Sequence, residues 1–317
     1  MMFLVGHTDH ISNTQVLWKF VLLGLCLGCG VSLRPTSFAR PASAIRPKTC
    51  SASGLRGSST SSASLNRVVE GDAEAFERIT LARHSTKSFQ ARDIPDEVLK
   101  KILALVLRSP SGFNLQPYEC IVVSSREAKE RLSKAMLGAN RQRVLDAGAS
   151  FIFAADLNSM KNMRKLRMLL DKSGWPSELV RKVPLYASIF SSGHTRLVRS
   201  PLVLVKRLAF AVVGRLGKGM PTVSGAEAWA FKNTMLAVQE LLLAATAQGL
   251  ASCPMEGFDM RRLRKAFRLP LRYSVPIVVS IGYASEAERE SKTLRFAPEE
   301  VFHRDNFGTA MEGIPEL

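Results

Sequence analysis

Along residues 67–317 the apolar positions recur with two different periods, and the change of period marks out the elements. Helical spacing runs over Ala73–Ala82, over Asp96–Leu107 behind the start signal Pro95-Asp96-Glu97, and most strongly over Ala226–Gln248, which Gly249 closes. The last of these is apolar on more than one face, which predicts a helix buried on several sides. Short runs bounded by turn or polar residues, at Glu119–Ser124, Ser150–Ala155 and Ser274–Tyr283, predict strands. Helices interleaved with strands make an α/β or α+β sheet protein. No internal repeat or low-complexity linker interrupts residues 67–317, so they are assigned to one domain.

Residues 1–66 have a different character. From Phe20 to Leu33 the chain reads FVLLGLCLGCGVSL, 14 uncharged residues behind Lys19, too short for an ordinary bilayer span and suited to the apolar region of a signal peptide. The stretch from Arg34 to Asn66 is rich in Ser, Arg and Ala and has no acid, the composition of an organelle transit peptide, which cannot bury a core. The two parts together resemble the leaders of proteins sent to plastids of secondary endosymbiotic origin. Phe38-Ala39-Arg40-Pro41 resembles the phenylalanine found where their transit portion begins. A plastid is therefore the expected destination, against a mitochondrion, the secretory pathway or a membrane anchor made from the apolar run.

Composition agrees with this division. The 317 residues are 46% hydrophobic and 22% charged, as in a globular enzyme. Residues 1–66 hold Lys19, Arg34, Arg40, Arg46, Lys48 and Arg56 against the single acid Asp9, so they carry +5 of the net +17 and leave +12 to the remainder. That surplus favours anionic ligands such as nucleotides, or weak contact with an anionic membrane surface; a cationic solvated surface without a specific partner accounts for it equally well. Nucleic acid is not an expected partner, because no run interleaves aromatics with cations. Cys26, Cys29 and Cys50 lie in the leader and only Cys120 and Cys253 outside it, which argues against a disulfide framework. Cys26 and Cys29 have metal-pair spacing but no second pair or histidines to complete a site, so no metal is expected.

Candidate chemistry begins at Arg83-His84-Ser85-Thr86-Lys87, which offers two cations and two hydroxyls in five residues, a density suited to phosphate. By itself the cluster reads equally as a basic helix end. Pro110-Ser111-Gly112-Phe113-Asn114-Leu115-Gln116-Pro117 is a rigid polar loop between a helix and a strand. Asn114 and Gln116 each present a donor and an acceptor, as reading the edge of a flat heterocycle requires, although a plain helix-to-strand turn has the same composition.

Together with Gly249-Leu250-x-x-Cys253-Pro254-Met255-Glu256-Gly257-Phe258-Asp259, these motifs, in this order over most of residues 70–307, resemble the FMN-dependent nitroreductase family. The resemblance implies an α+β nitroreductase-like fold: a mixed, mainly antiparallel sheet wrapped by helices, in an intertwined homodimer with two FMN sites, each built from both chains. Carried over, Arg83, His84 and Ser85 join the cofactor site, Arg83 and Ser85 holding the phosphate and ribityl chain. Lys87 lies by the pyrimidine end, where reduction deposits negative charge. Pro110, Ser111, Asn114 and Gln116 approach from the partner chain, while Glu256 and Gly257 lie beside the hydride-accepting N5. Asn140 and Arg143 resemble the family's contacts to the pyrimidine edge. Lys292 and Arg295, ahead of Pro298-Glu299-Glu300-Val301, resemble its last phosphate-binding element, with Lys292 one position out of register.

The implied activity is transfer of hydride from NAD(P)H through FMN to an electron-poor small molecule such as a nitroaromatic or quinone, with no protein side chain as catalyst. A flavin-binding or flavin-storing protein without NAD(P)H turnover, or a reductive dehalogenase of the same fold, are the alternatives. Residues 160–225 form a longer and more basic connection than a minimal member needs, and Leu202–Lys218 within them reads as a lid, a dimer-packing element or a membrane-surface helix.

Overall fold

The computed structural model describes residues 71–174, 176–191, 196–215, 224–286 and 294–315. The leader of residues 1–66 lies outside them. Phe76–Leu317 forms one compact unit, which contains the sheet and its core.

Four strands form that sheet: β1 (Tyr118–Val123), β2 (Ala149–Asp156), β3 (Ala251–Met255) and β4 (Tyr273–Gly282), in the order β1-β2-β4-β3. All three neighbouring pairs are antiparallel, and an isolated parallel bridge, Ser85 to Ser252, adds the mixed character the sequence led us to expect. Three strands fall where the hydrophobic pattern predicts them. β3 has no such pattern because Pro254 and Ser252 interrupt it; proline is tolerated there because β3 is an edge strand.

Every residue of β2 is buried, and alternation sends its side chains to two cores. Phe151 and Phe153 join Ile277, Val279 and Ile281 of β4 against helices α2 (Asp96–Val106) and α8 (Ala226–Ala247). Ile152 and Ala154 join Val278 on the opposite face, beneath α3 (Arg126–Ser133), α4 (Asn140–Asp146) and α9 (Met260–Ala266). The sheet is thus covered by helices on both faces. α1 (Asp72–Ala82) precedes it, and α5 (Met163–Lys172), α6 (Ser177–Ser191) and α7 (Arg196–Arg215) fill the long basic connection. The short α10 (Pro298–Val301) follows.

The multi-sided apolarity of α8 reflects real burial, from Trp229 through Leu241 to Ala245. Its stop is the predicted one. Gly249 takes φ +72°, so that its N–H reaches the Thr246 carbonyl at 2.9 Å and the Leu250 N–H reaches that of Ala245 at 3.0 Å. This paired closure satisfies two orphan carbonyls and turns the chain directly into β3.

Candidate functional site

α1 ends at Ala82, and the Arg83 N–H still bonds the Ile79 carbonyl at 3.2 Å. The chain then runs extended along the outer edge of β3, where the Thr86 N–H donates to the Ser252 carbonyl at 3.0 Å. Extended backbone alternates its side chains. Thr86 points inward, fully buried, with its hydroxyl on the Ser88 carbonyl at 3.1 Å, while Lys87 is exposed. Thr86 therefore pins the segment and leaves its neighbours to face a ligand. The His84 ring lies 3.1 Å from the Ala82 carbonyl through Nδ1, at the exposed end of the helix.

Arg83 is half-buried. Burial, and then the nearby Arg295 guanidinium, push its pKa below the ordinary guanidinium value. Arg83 and Arg295 are far apart in sequence and sit within electrostatic reach of each other, and such a like-charge pair is relieved by an anion. Lys292 lies outside the described residues.

A chain of hydrogen bonds joins the other expected positions. The Arg143 Nε donates to the Lys87 carbonyl at 3.3 Å, and its Nη1 donates to Asn140 Oδ1 at 2.6 Å. Asn140 Nδ2 donates to the Gly257 carbonyl at 3.2 Å, which also accepts the Leu137 N–H at 3.0 Å. Lys87, Arg143, Asn140 and Gly257 come from three separate segments, so only folding brings them together. Glycine leaves Asn140 in place here, since a Cβ at position 257 would stand 2.8 Å from Asn140 Nδ2 and the amide would have to move. Among the described residues, the Gly257 N–H has no hydrogen-bond acceptor. Glu256 beside it is exposed.

The loop carrying Ser111, Asn114 and Gln116 lies elsewhere. Phe113, Asn114 and Gln116 all take positive φ, at 57°, 54° and 44°. Ser111 Oγ accepts the Gln116 backbone N–H at 3.0 Å, and Gln116 Nε2 donates to Asn114 Oδ1 at 3.1 Å, so the loop is tied across its own backbone and through its two amide side chains. The sequence reading missed the anchor of this loop: Asn233 of α8, whose Oδ1 accepts the Gly112 N–H at 2.7 Å while its Nδ2 holds the Trp229 carbonyl. A buried asparagine in an apolar helix is the signal that points to it. Pro110, at the head of the loop, is exposed.

The strand register sets the two groups apart. The loop enters β1 at Tyr118, which pairs with Ala155, and Ala155 in turn pairs with Ser274 at the start of β4. Ser85 sits against Ser252, which pairs with Ile281 at the other end of β4. The loop and the Arg83–Lys87 segment therefore lie toward opposite ends of the sheet within one chain. A surface cleft of about 680 Å³, lined by Asp93, Ser125, Lys129, Gln142 and Asp146 among others, contains none of the expected site residues. Cys253 is buried among Met255 and Leu263, in the core rather than at a reactive surface.

The family model described as "Nitroreductase family" matches residues 80–186 and 220–283, more than half of the chain. The chain belongs to the nitroreductase family. An NADH dehydrogenase of Thermus thermophilus is 28% identical over 206 residues, covering 65% of this chain and 85% of that one. An oxygen-insensitive NAD(P)H nitroreductase of Enterobacter cloacae is 29% identical over 213 residues, covering 65% and 88%. Among solved structures, a nitroreductase family protein of Streptococcus pneumoniae superposes with a TM-score of 0.55 at 20% identity, over 72% of this chain and 99% of that one. The enone reductase CLA-ER of gut-bacterial fatty acid saturation superposes with a TM-score of 0.52 at 20% identity, over 73% and 98%. These two confirm the fold. Membership makes this chain an NAD(P)H-dependent, FMN-using oxidoreductase, as the motifs had implied.

Proposed function

We propose that this nitroreductase passes hydride from NAD(P)H to an electron-poor small molecule, such as a nitroaromatic or quinone, at a site walled by Arg83–Lys87, Asn140, Arg143 and Glu256–Gly257. The observation that carries this reading is the hydrogen-bonded chain Lys87–Arg143–Asn140–Gly257 beside the Arg83 and Arg295 pair. A cationic end, a polar edge and a backbone N–H in a row fit the phosphate, the pyrimidine edge and the ring nitrogen of FMN.

FMN, when bound, supplies the chemistry by accepting a hydride and returning it to the second substrate. Arg83, Ser85 and Arg295 hold the phosphate by charge-assisted hydrogen bonds. Lys87 keeps a positive charge at the pyrimidine end, which favours the reduced, more negative state. Asn140 and Arg143 fix the position of Lys87 and offer that end hydrogen-bonding groups. The Gly257 N–H is available to the hydride-accepting nitrogen because no side chain screens it. Lys292, by the family resemblance, joins the phosphate group.

Ser111, Asn114 and Gln116 complete the site from a second copy. The distance along the sheet between their loop and the Arg83–Lys87 segment supports this, as do Met235 and Leu236, large apolar side chains that α8 leaves exposed. A homodimer with two shared sites follows. Residues 1–66 are proposed as a plastid leader on their composition.

The test is the visible spectrum of the purified protein. Oxidised-flavin bands that bleach with NADPH under anaerobic conditions, and return on addition of menadione or a nitroaromatic, are expected. A colourless protein that FMN does not reconstitute overturns the reading.

A further inference from the structure

Helix α7 is built the wrong way round for a helix that packs on its own chain. Lys206 is 3% exposed and donates to the Ser188 carbonyl, whereas Leu204, Val205, Leu208 and Val212 are 59%, 61%, 60% and 53% exposed. At 3.6 residues per turn these four fall within an arc of about 100°, opposite Lys206 and Val213. The apolar stripe of α7 thus faces away from the protein. Arg207 and Arg215 are exposed on the same helix.

Charge is concentrated in the same place. Residues 160–226 contain thirteen Lys and Arg against Asp171 and Glu178 alone, a net +11, while the rest of 67–317 carries only +1. Not one acid occurs between Glu178 and Glu227. The family match breaks off over residues 187–219, which include all of α7. Among the described residues, no helix is long and apolar enough to cross a membrane.

We propose that α7 docks this enzyme on an anionic lipid surface, lying in the headgroup layer with Leu204, Val205, Leu208 and Val212 toward the acyl chains. Arg207 and Arg215, exposed on the same helix, engage anionic headgroups. An outward apolar stripe among cations, too polar overall to span, is the composition of an interfacial helix. Each Lys or Arg near such a surface adds attraction that falls away within the screening length of the salt. A second copy of the chain suits the face poorly. A two-fold contact between two α7 stripes would bring the cations of both copies into one interface, with no acid in the segment to offset them.

The experiment mixes the full chain with vesicles of phosphatidylcholine, with or without phosphatidylglycerol, and reads binding by flotation and hydrogen exchange by mass spectrometry. Binding is expected to require phosphatidylglycerol, to weaken as salt is raised, and to protect residues 196–215. Leu204→Glu with Leu208→Glu is expected to bind about tenfold more weakly or worse. Arg207→Glu with Arg215→Glu is expected to lose the preference for phosphatidylglycerol, and both variants should oxidise NADPH in solution at the unaltered rate. Protection confined to the leader, or a leucine variant that binds as the parent does, overturns the proposal. A leucine variant that lowers the oligomeric state in sedimentation assigns the face to a second copy and overturns it equally.

Discussion

At the scale of single residues, three positions carry separable burdens. If Arg83 holds the phosphate as proposed, Arg83→Ala removes a charge-assisted contact worth about 1.5–3 kcal/mol, so FMN affinity is expected to fall roughly 10- to 100-fold without loss of fold. Flavin fluorescence titration beside circular dichroism checks this, and unaltered affinity would show that the phosphate lies elsewhere. Gly257→Ala tests the close approach to Asn140. The added methyl, 2.8 Å from Nδ2, must displace that side chain and loosen Arg143 and Lys87 behind it. Slower reduction of the bound flavin by NADPH in stopped flow is expected. Cys120 gives a simpler outcome. Burial pushes its thiol up to about 12, so iodoacetamide at mildly alkaline pH should spare it in the native protein and modify it after unfolding.

The elements add effects that no single residue reveals. Asn233 ties the Ser111–Gln116 loop to α8, and Asn233→Ala would leave the Gly112 N–H without its acceptor. That should cost about 1–3 kcal/mol in urea unfolding. At the end of β2, Asp156 is buried with its Oδ2 3.5 Å from Arg272 and its Oδ1 accepting the Asn158 N–H. Burial raises its pKa and outweighs the lowering from Asn158 and Arg272. For Arg272 burial pulls the other way, yet Tyr273, Asp156 and Glu119 together keep its pKa above the ordinary value. A carboxyl raised on folding contributes stability that is present below its unfolded pKa and is lost as pH rises through the raised value. Asp156→Asn is therefore expected to gain stability relative to the parent as pH rises from acid toward neutral, measured by thermal unfolding over that range. A variant that instead loses stability relative to the parent as pH rises would mean that the Arg272 contact dominates.

For the whole molecule, the consequence to test is the shared site. If each site takes Arg83 from one chain and Asn114 from the other, mixing Arg83→Ala with Asn114→Ala chains after dissociation should restore activity. Half of the dimers are then mixed and each has one intact site, so about a quarter of the sites recover. No recovery would place both groups in one chain.

The sequence by itself determined the family and most of the elements. Periodicity is a local property, and it located α2, α8, β1, β2 and β4 because each buries a face made of residues a few positions apart; α1 shows the same spacing although it buries none of its residues. The motifs fixed the residue types, since phosphate and a flat heterocycle ask for particular donors. Only the tertiary structure decided how those residues are shared out. Thr86 proved a buried pin because it lies on the inward side of an edge that β3 supplies. β3 itself escaped the pattern because its place at the sheet edge, and not its composition, permits Pro254. Asn233 acquired its role from a loop 121 residues away. The apolar run in residues 202–218 gave no direction in sequence, because apolarity says that a face seeks cover and not on which side. Folding turned Lys206 inward and Leu204 and Leu208 of α7 outward, and that choice depends on the elements around the helix.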